Sequence, residues 1–134
     1  MNSELDGKIV LVTGGAGGIG SVISKSFAEQ GAKVIVHYKH SKEKAELIAE
    51  KIKGAAMYAD LTDSKQAKEL FDNIIDMEGK IDICIANAGK YPKDYAPLWE
   101  IEFERWNNTI STNLSLTYNT SRYFLRHVVE TKKG

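Results

Sequence analysis

Five of the 11 glycines in this chain fall within the eight residues Thr13-Gly14-Gly15-Ala16-Gly17-Gly18-Ile19-Gly20. From Gly15 to Gly20 the spacing is G-x-G-x-x-G. Glycine at such positions permits a turn through positive φ and lets backbone amides approach a phosphate with no Cβ between them. If a helix opens directly afterwards, its first amides are unpaired and carry a partial positive charge, so an anion is held without a basic side chain. That chemistry suits the pyrophosphate of a dinucleotide. A P-loop is the nearest rival. It requires lysine immediately after its last glycine, and Ser21 stands there instead. A glycine-rich turn with no ligand is the plainer alternative, and what flanks the loop weighs against it.

The loop needs a strand to deliver it and a helix to receive it. Asp6-Gly7 reads as a turn. The run Ile9-Val10-Leu11-Val12 is short, β-branched and free of polar alternation, as in a strand buried on both faces of a parallel sheet. Beyond the loop, Ile19, Val22, Ile23 and Phe27 recur at helical spacing, and Gly31 reads as the glycine that ends the helix. Val34-Ile35-Val36 predicts a second strand. Ala45, Ile48, Ala49 and Ile52 form one helix face, with Ser41 as its N-cap. Ala55-Ala56-Met57-Tyr58-Ala59 predicts a third strand. Ala67, Leu70, Phe71 and Ile74 predict a third helix, and Ile81 with Ile83-Cys84-Ile85-Ala86 a fourth strand. Lys90 to Leu98 holds both prolines, Pro92 and Pro97, and reads as a loop that lines a substrate entrance. From about Trp99 the chain turns helical. Ile110, Leu114, Ser121, Leu125 and Val128 fall near one face of a long final helix, and Trp99 and Trp106 are expected to pack the last helices. Alternating strand and helix is the signature of an α/β fold with a Rossmann-like, doubly wound parallel sheet, here ending after the fourth strand and the long helix that follows. One dinucleotide-binding domain over residues 1–134 is expected.

Four features then occur together. Thr13-Gly14-x-x-x-Gly18-x-Gly20 resembles the TGxxxGxG loop of the short-chain dehydrogenases/reductases, with Ile19 inside it. Asp60-Leu61 after the third strand resembles the acid that contacts adenine in that family. Asn87-Ala88-Gly89 after the fourth strand resembles its NNAG motif, with Ala86 in place of the first asparagine. Asn113 falls where the family carries the asparagine of its catalytic tetrad. The order and spacing are the family's and cover the whole chain. Singly, each has a plainer reading: Asp60 and Asn87-Ala88-Gly89 as strand-end turns, Asn113 as a polar residue on a helix surface.

The resemblance implies a nicotinamide dinucleotide, and the end of the second strand bears on which one. An NAD-selective unit carries an acid there to bond the ribose hydroxyls. Tyr38 occupies that place, followed by Lys39, with Ser41 two residues on. No carboxylate stands there to repel a 2′-phosphate, and Lys39 attracts it. A charge-assisted contact of this kind contributes roughly 1.5–3 kcal/mol. The plain reading of Lys39 is a solvated surface lysine. A basic residue just before the second glycine, frequent among the family's NADP users, is replaced by Gly17. The expectation is NADP over NAD.

The family also carries a serine after its fifth strand and Tyr-x-x-x-Lys on the next helix, the tyrosine donating a proton with its pKa lowered by the lysine. Tyr38 to Lys42 matches by letters but sits at the adenosine end of such a site. Tyr118 to Arg122 has the spacing, with arginine for lysine, on the wrong helix. No Ser-Tyr-Lys set is present in these 134 residues, and Lys132-Lys133-Gly134 falls where the family's fifth strand would begin. The expected activity is a short-chain NAD(P)-dependent oxidoreductase acting on a small carbonyl or alcohol substrate, with Asn113 helping to hold the proton-relay water. The chain is expected to be its cofactor-binding portion, inactive alone. A non-catalytic dinucleotide-binding or assembly module and an inactive truncated product are the alternatives.

Bulk properties agree. Lysine plus arginine total 18 and aspartate plus glutamate total 18, so nothing argues for nucleic acid or an anionic membrane. Met1-Asn2-Ser3-Glu4-Leu5-Asp6 has neither the basic nor the apolar region of a signal peptide, and no apolar run approaches membrane-spanning length. A lone cysteine, Cys84, allows no internal disulfide, and a cytoplasmic location is expected. His37, His40 and His127 show no metal-ligand spacing and read as surface histidines, so no metal is expected. The resemblance implies a homo-oligomer paired through the long final helix.

Overall fold

A computed structural model of the chain describes residues 4–132. Met1-Asn2-Ser3 and Lys133-Gly134, which open and close the sequence reading, lie outside the described residues. Strand β1 (Ile9–Val12) is buried along its whole length because its side chains alternate between two apolar layers. Ile9 and Leu11 join Ile35 on one side; Val10 and Val12 join Val34 and Val36 on the other. Strand β2 (Lys33–Tyr38) runs parallel to β1 with Val10 opposite Val34, and β3 (Ala55–Tyr58) and β4 (Ile83–Ile85) complete one parallel sheet in the order β3-β2-β1-β4. A parallel strand needs a crossover, and helices fill both faces. Helices α1 (Gly18–Glu29) and α2 (Lys42–Lys51) pack on the valine side, and α3 (Ser64–Glu78) and α4 (Phe103–Thr131) on the other. A 3₁₀ turn at Leu98–Glu100 precedes α4.

The doubly wound architecture is the expected one, and α2 and α3 bury the expected faces: Ala45, Ile48 and Ala49 in α2, and Ala67, Leu70, Phe71 and Ile74 in α3. Two helices differ. In α1 the buried residues are Gly20 and Ser24, with Ile23 and Phe27 packed beside them, while Ile19 and Val22 are exposed. Small residues there let the helix approach the sheet closely. In α4 the buried residues are Leu116, Asn119, Thr120 and His127, and Ile110, Leu114 and Leu125 point outward. At 100° per residue those two sets lie on opposite faces of the helix. Trp99 and Trp106 are exposed rather than packed. Ser41 stands at the N-cap position of α2, but its side chain makes no capping bond.

Polar residues on the inner face of α4 tie it to the rest of the chain. Asn119 Nδ2 donates to the Leu61 carbonyl at 2.8 Å, His127 Nε2 accepts the Ile81 N–H at 3.2 Å, and the Tyr123 hydroxyl bonds Ser64 at 2.7 Å. Each secures α4 to a segment more than 40 residues earlier in the chain.

Candidate functional site

Strand order reverses between β1 and β4, and a crevice opens at the carboxyl ends of those strands, where ligands enter doubly wound sheets. Thr13 closes the bottom of this crevice. It is buried, and its hydroxyl accepts the N–H groups of Asn87 at 3.0 Å and Ala88 at 2.9 Å. Asn87 answers by donating Nδ2 to the carbonyls of Thr13 at 3.1 Å and Gly14 at 3.2 Å. The glycine loop and the Asn87-Ala88-Gly89 turn, 73 to 75 residues apart, are thus one hydrogen-bonded body. Gly14 has φ +60°, a left-handed conformation that glycine adopts freely.

The loop is secured from β2 as well. His37 takes two consecutive loop amides: Gly14 N–H on Nδ1 at 3.0 Å and Gly15 N–H on its carbonyl at 3.0 Å. Its Nε2 bonds the Ala59 carbonyl at 2.8 Å. The surface reading of the histidines therefore fails for His37 and His127, which are both buried. Burial pushes the His37 pKa below its usual 6.5, against the opposing effects of the Ala59 bond and the Asp60 charge.

The glycines divide by what a Cβ would meet. At Gly20 it would run into the Gly14 carbonyl, and at Gly15 it would lie 2.9 Å from the Val12 carbonyl and 3.1 Å from Val36 Cγ1. Those two are demanded by the fold. At Gly18 it would meet nothing within 4 Å. The protein leaves that space to the groove. Gly17 caps α1 without a side-chain bond, and the first ladder bond runs from Ser21 N–H to Gly17, 2.8 Å. The amides of Gly18, Ile19 and Gly20 stand ahead of it with no carbonyl in the helix to receive them. A cradle of bare amides with free space before it fits a pyrophosphate.

A groove of about 610 Å³ runs in front of this cradle. Of the sequence-predicted cofactor residues, Gly14, Gly18, Ile19 and Gly20 line it from the loop. Tyr38, Lys39 and Ser41 line it from the end of β2, Leu61 from beyond β3, and Asn87, Ala88 and Gly89 from beyond β4. Thr13, Asp60 and Asn113 do not line it and stand behind it. His37, Lys90 and Thr112 line it without having been singled out. His37 gave no signal in the sequence because its partners, Gly14 and Ala59, are more than 20 residues away on either side.

At the far end Tyr38 packs edge-on against Tyr58, ring centroids 6.0 Å apart. Lys39 is not a free solvated lysine. Its Nζ lies 3.1 Å from Asp60 Oδ2. The other Asp60 oxygen accepts Thr62 N–H at 3.0 Å and the Thr62 hydroxyl at 2.6 Å. The Thr62 hydroxyl, with Lys39 adding to it, holds the Asp60 carboxyl below its ordinary value despite some burial. Asp60 is therefore a turn residue and the counter-ion of Lys39 at once.

Asn113, on α4, is not loose on the surface. Nδ2 donates to the carbonyls of Lys90 and Thr109, both at 2.8 Å, and Oδ1 accepts Lys90 N–H at 2.9 Å. Arg105 ties the same loop again, donating to Asp94 Oδ2 at 3.0 Å and to the Asp94 carbonyl at 2.6 Å. A second hollow of about 410 Å³ lies beside it, lined by Lys90, Pro92, Glu102, Arg105 and Thr109 among others. Burial pushes the Cys84 thiol up to about 12, so it supplies no thiolate nucleophile near neutral pH. No group of three metal-ligating side chains occurs among the described residues, and none of their helices is long and apolar enough to cross a membrane.

Fold and crevice together define a Rossmann-like, doubly wound α/β domain. A family profile described as short chain dehydrogenase matches residues 8–134, and the chain belongs to that family. Versicolorin reductase 1 of Aspergillus parasiticus is 34% identical over 134 residues, covering 96% of this chain and 50% of its own length. NADP-dependent mannitol dehydrogenase of Alternaria alternata is 34% identical, covering 98% of this chain and 52% of its own. A solved Serratia marcescens short-chain dehydrogenase/reductase, the F98L/F202L mutant, superposes with a TM-score of 0.79 at 27% identity over 92% of this chain and 51% of that one. The chain spans about half the length of the curated relatives it matches.

Proposed function

We propose that the groove binds NADP, and that the chain serves a short-chain oxidoreductase acting on a small carbonyl or alcohol substrate. The observation that carries this is the uncapped start of α1, where Gly18 faces open space. A bound nicotinamide dinucleotide would supply or accept the hydride. The residues present do the rest. Gly18, Ile19 and Gly20 offer amides to the pyrophosphate. Asn87, Ala88 and Gly89 wall the crevice where the nicotinamide half would lie. Tyr38, Lys39 and Ser41 bound its adenosine end, with Leu61 beneath and Asp60 behind. Thr13 positions both loops. Asn113 holds the Lys90 peptide. With both amide hydrogens engaged, its remaining capacity is one Oδ1 lone pair, the point at which a relay water would attach.

Lys39 is already paired with Asp60, whose charge opposes a 2′-phosphate, so its net preference is smaller than a free lysine would give. Lys39→Met is expected to lower NADP-over-NAD selectivity by about tenfold or less, measured as a ratio of dissociation constants. The name of the Alternaria relative supports NADP. The deciding experiment is Gly18→Ala. A Cβ there disturbs nothing in the protein and favours the helix by up to about 1 kcal/mol, so the melting temperature should hold or rise while NADPH affinity falls at least tenfold. Unchanged affinity would sink the reading.

The 134 residues alone are expected to bind NADPH without oxidising it, because among the described residues no Tyr-x-x-x-Lys set lines the crevice. A scan over ketoses, aldehydes and oxoacyl thioesters should show no turnover, and any turnover would refute this. A cytoplasmic setting belongs to the same proposal. Phe103, Trp106, Ile110, Leu114 and Leu125 form an exposed apolar stripe along α4. It supports homo-oligomerisation through that helix, and it favours an assembly module as the second reading. Light scattering showing only monomer would contradict both uses of the stripe.

A further inference from the structure

We propose that His37 is the positioning residue of the dinucleotide site, and that protonating its ring releases the glycine loop and weakens binding. The inference rests on the dinucleotide reading of the groove and deepens it. Its basis is donor and acceptor identity. A backbone N–H can only donate, and Gly14 N–H points at Nδ1 at 3.0 Å. A carbonyl can only accept, and Ala59 meets Nε2 at 2.8 Å. Both bonds are satisfied by one species alone, the neutral ring with its proton on Nε2. A second proton would go to Nδ1, facing a donor, and the bond to Gly14 would become a repulsion. The carbonyl of the same residue holds Gly15, so two consecutive amides of the loop depend on one strand position.

The surroundings do not rescue the charged ring. From the loop His37 meets Gly14 and Gly15, from β3 Met57 lies opposite it in register, and the segment after β3 offers the Ala59 carbonyl. Tyr38, Lys39, His40 and Lys90 line the same groove, and none is a carboxylate. The carboxylate acting on the ring is Asp60, which is paired with Lys39. Burial lowers the ring's proton affinity. The closed loop thus binds fewer protons than the open one. Its stability is full above the ordinary value of 6.5 and is lost as pH falls below it.

The test uses the 134-residue chain with NADPH as probe. Nitrogen-15 spectra of the imidazole should show the Nε2–H tautomer at pH 7.5, and the Gly14 amide should shift in step with the His37 titration. His37→Phe, which keeps ring size without nitrogen, should bind NADPH about tenfold more weakly. His37→Asn places a carboxamide oxygen where Nδ1 stands and does not titrate, so it should recover most of that loss. Between pH 7.5 and 5.5 the native chain should weaken about three- to tenfold more than His37→Asn. That subtraction removes every other pH effect of the ligand and of the chain, common to both proteins. An Nδ1–H tautomer, an indifferent Gly14 amide, or coincident pH profiles would overturn the proposal. If His37→Phe fails to fold, His37→Asn and the native spectra still decide. If the native chain binds no NADPH at any pH, the dinucleotide reading fails, while the tautomer and the Gly14 shift still judge His37.

Discussion

Helices α1 and α3 both start just beyond a parallel strand, yet their first turns are finished in opposite ways. At α3 the chain closes its own helix. Asp63 Oδ1 accepts Lys65 N–H at 2.8 Å and Gln66 N–H at 3.4 Å, and Gln66 reaches back to Asp63 Oδ2 at 3.2 Å. At α1 the cap is Gly17, with no side-chain bond and no acidic residue in the first turn. One helix spends its orphan amides on itself, and the other leaves them facing a groove. The contrast separates a terminus closed on itself from one left open, as the proposed anion site requires. The loop before α1 is held instead by residues outside the helix, Thr13, His37 and Asn87, while the first turn of α3 is closed by its own Asp63.

Substitutions can break that contrast or sharpen it. The largest effect is expected from Gly20→Val. Its Cβ would run into the Gly14 carbonyl, so the loop must move. NADPH binding should vanish in a fluorescence titration, and urea denaturation should show a loss of about 1–3 kcal/mol. Next comes Gly17→Asp, which would give α1 the cap that α3 already has. Gly17 is extended at φ −71° and ψ 179°, and a Cβ there would lie 3.4 Å from the nearest atom, so aspartate fits. Stability should rise by about a few tenths of a kcal/mol, while the carboxylate repels the pyrophosphate and affinity drops at least tenfold. The smallest effect is Asp63→Ala. Losing the cap should cost about 1 kcal/mol in thermal or urea melts, with NADPH affinity unchanged. Equal affinity losses in Gly17→Asp and Asp63→Ala would erase the distinction.

The same two helices mark how far the sequence could be read. The inner face of α3, Ala67, Leu70, Phe71 and Ile74, was legible because burial there is hydrophobic and periodic. The inner face of α1 was half legible: Ile23 and Phe27 were read correctly, but Gly20 and Ser24 were hidden. Glycine is buried to allow approach, and Ser24 to donate to the Gly15 carbonyl at 3.1 Å. In α4 the apolar face was legible and turns outward, while the buried face, which carries Asn119, Thr120 and His127, was not. Polar burial leaves no periodic trace, because it depends on one partner far away in sequence.

By itself the sequence determined the order of strands and helices and the doubly wound class, and it singled out the glycine loop as the candidate anion site. Those follow from local rules: β-branched runs, helical spacing, and glycine before a helix. Tertiary structure alone decided which glycines are demanded by packing and which leave room for a ligand. It also paired Lys39 with Asp60, turned His37 from a surface residue into the anchor of the loop, and engaged Asn113 with Lys90. Each is a contact between residues more than 20 positions apart, and no local pattern encodes which distant carbonyl or carboxylate a side chain will meet.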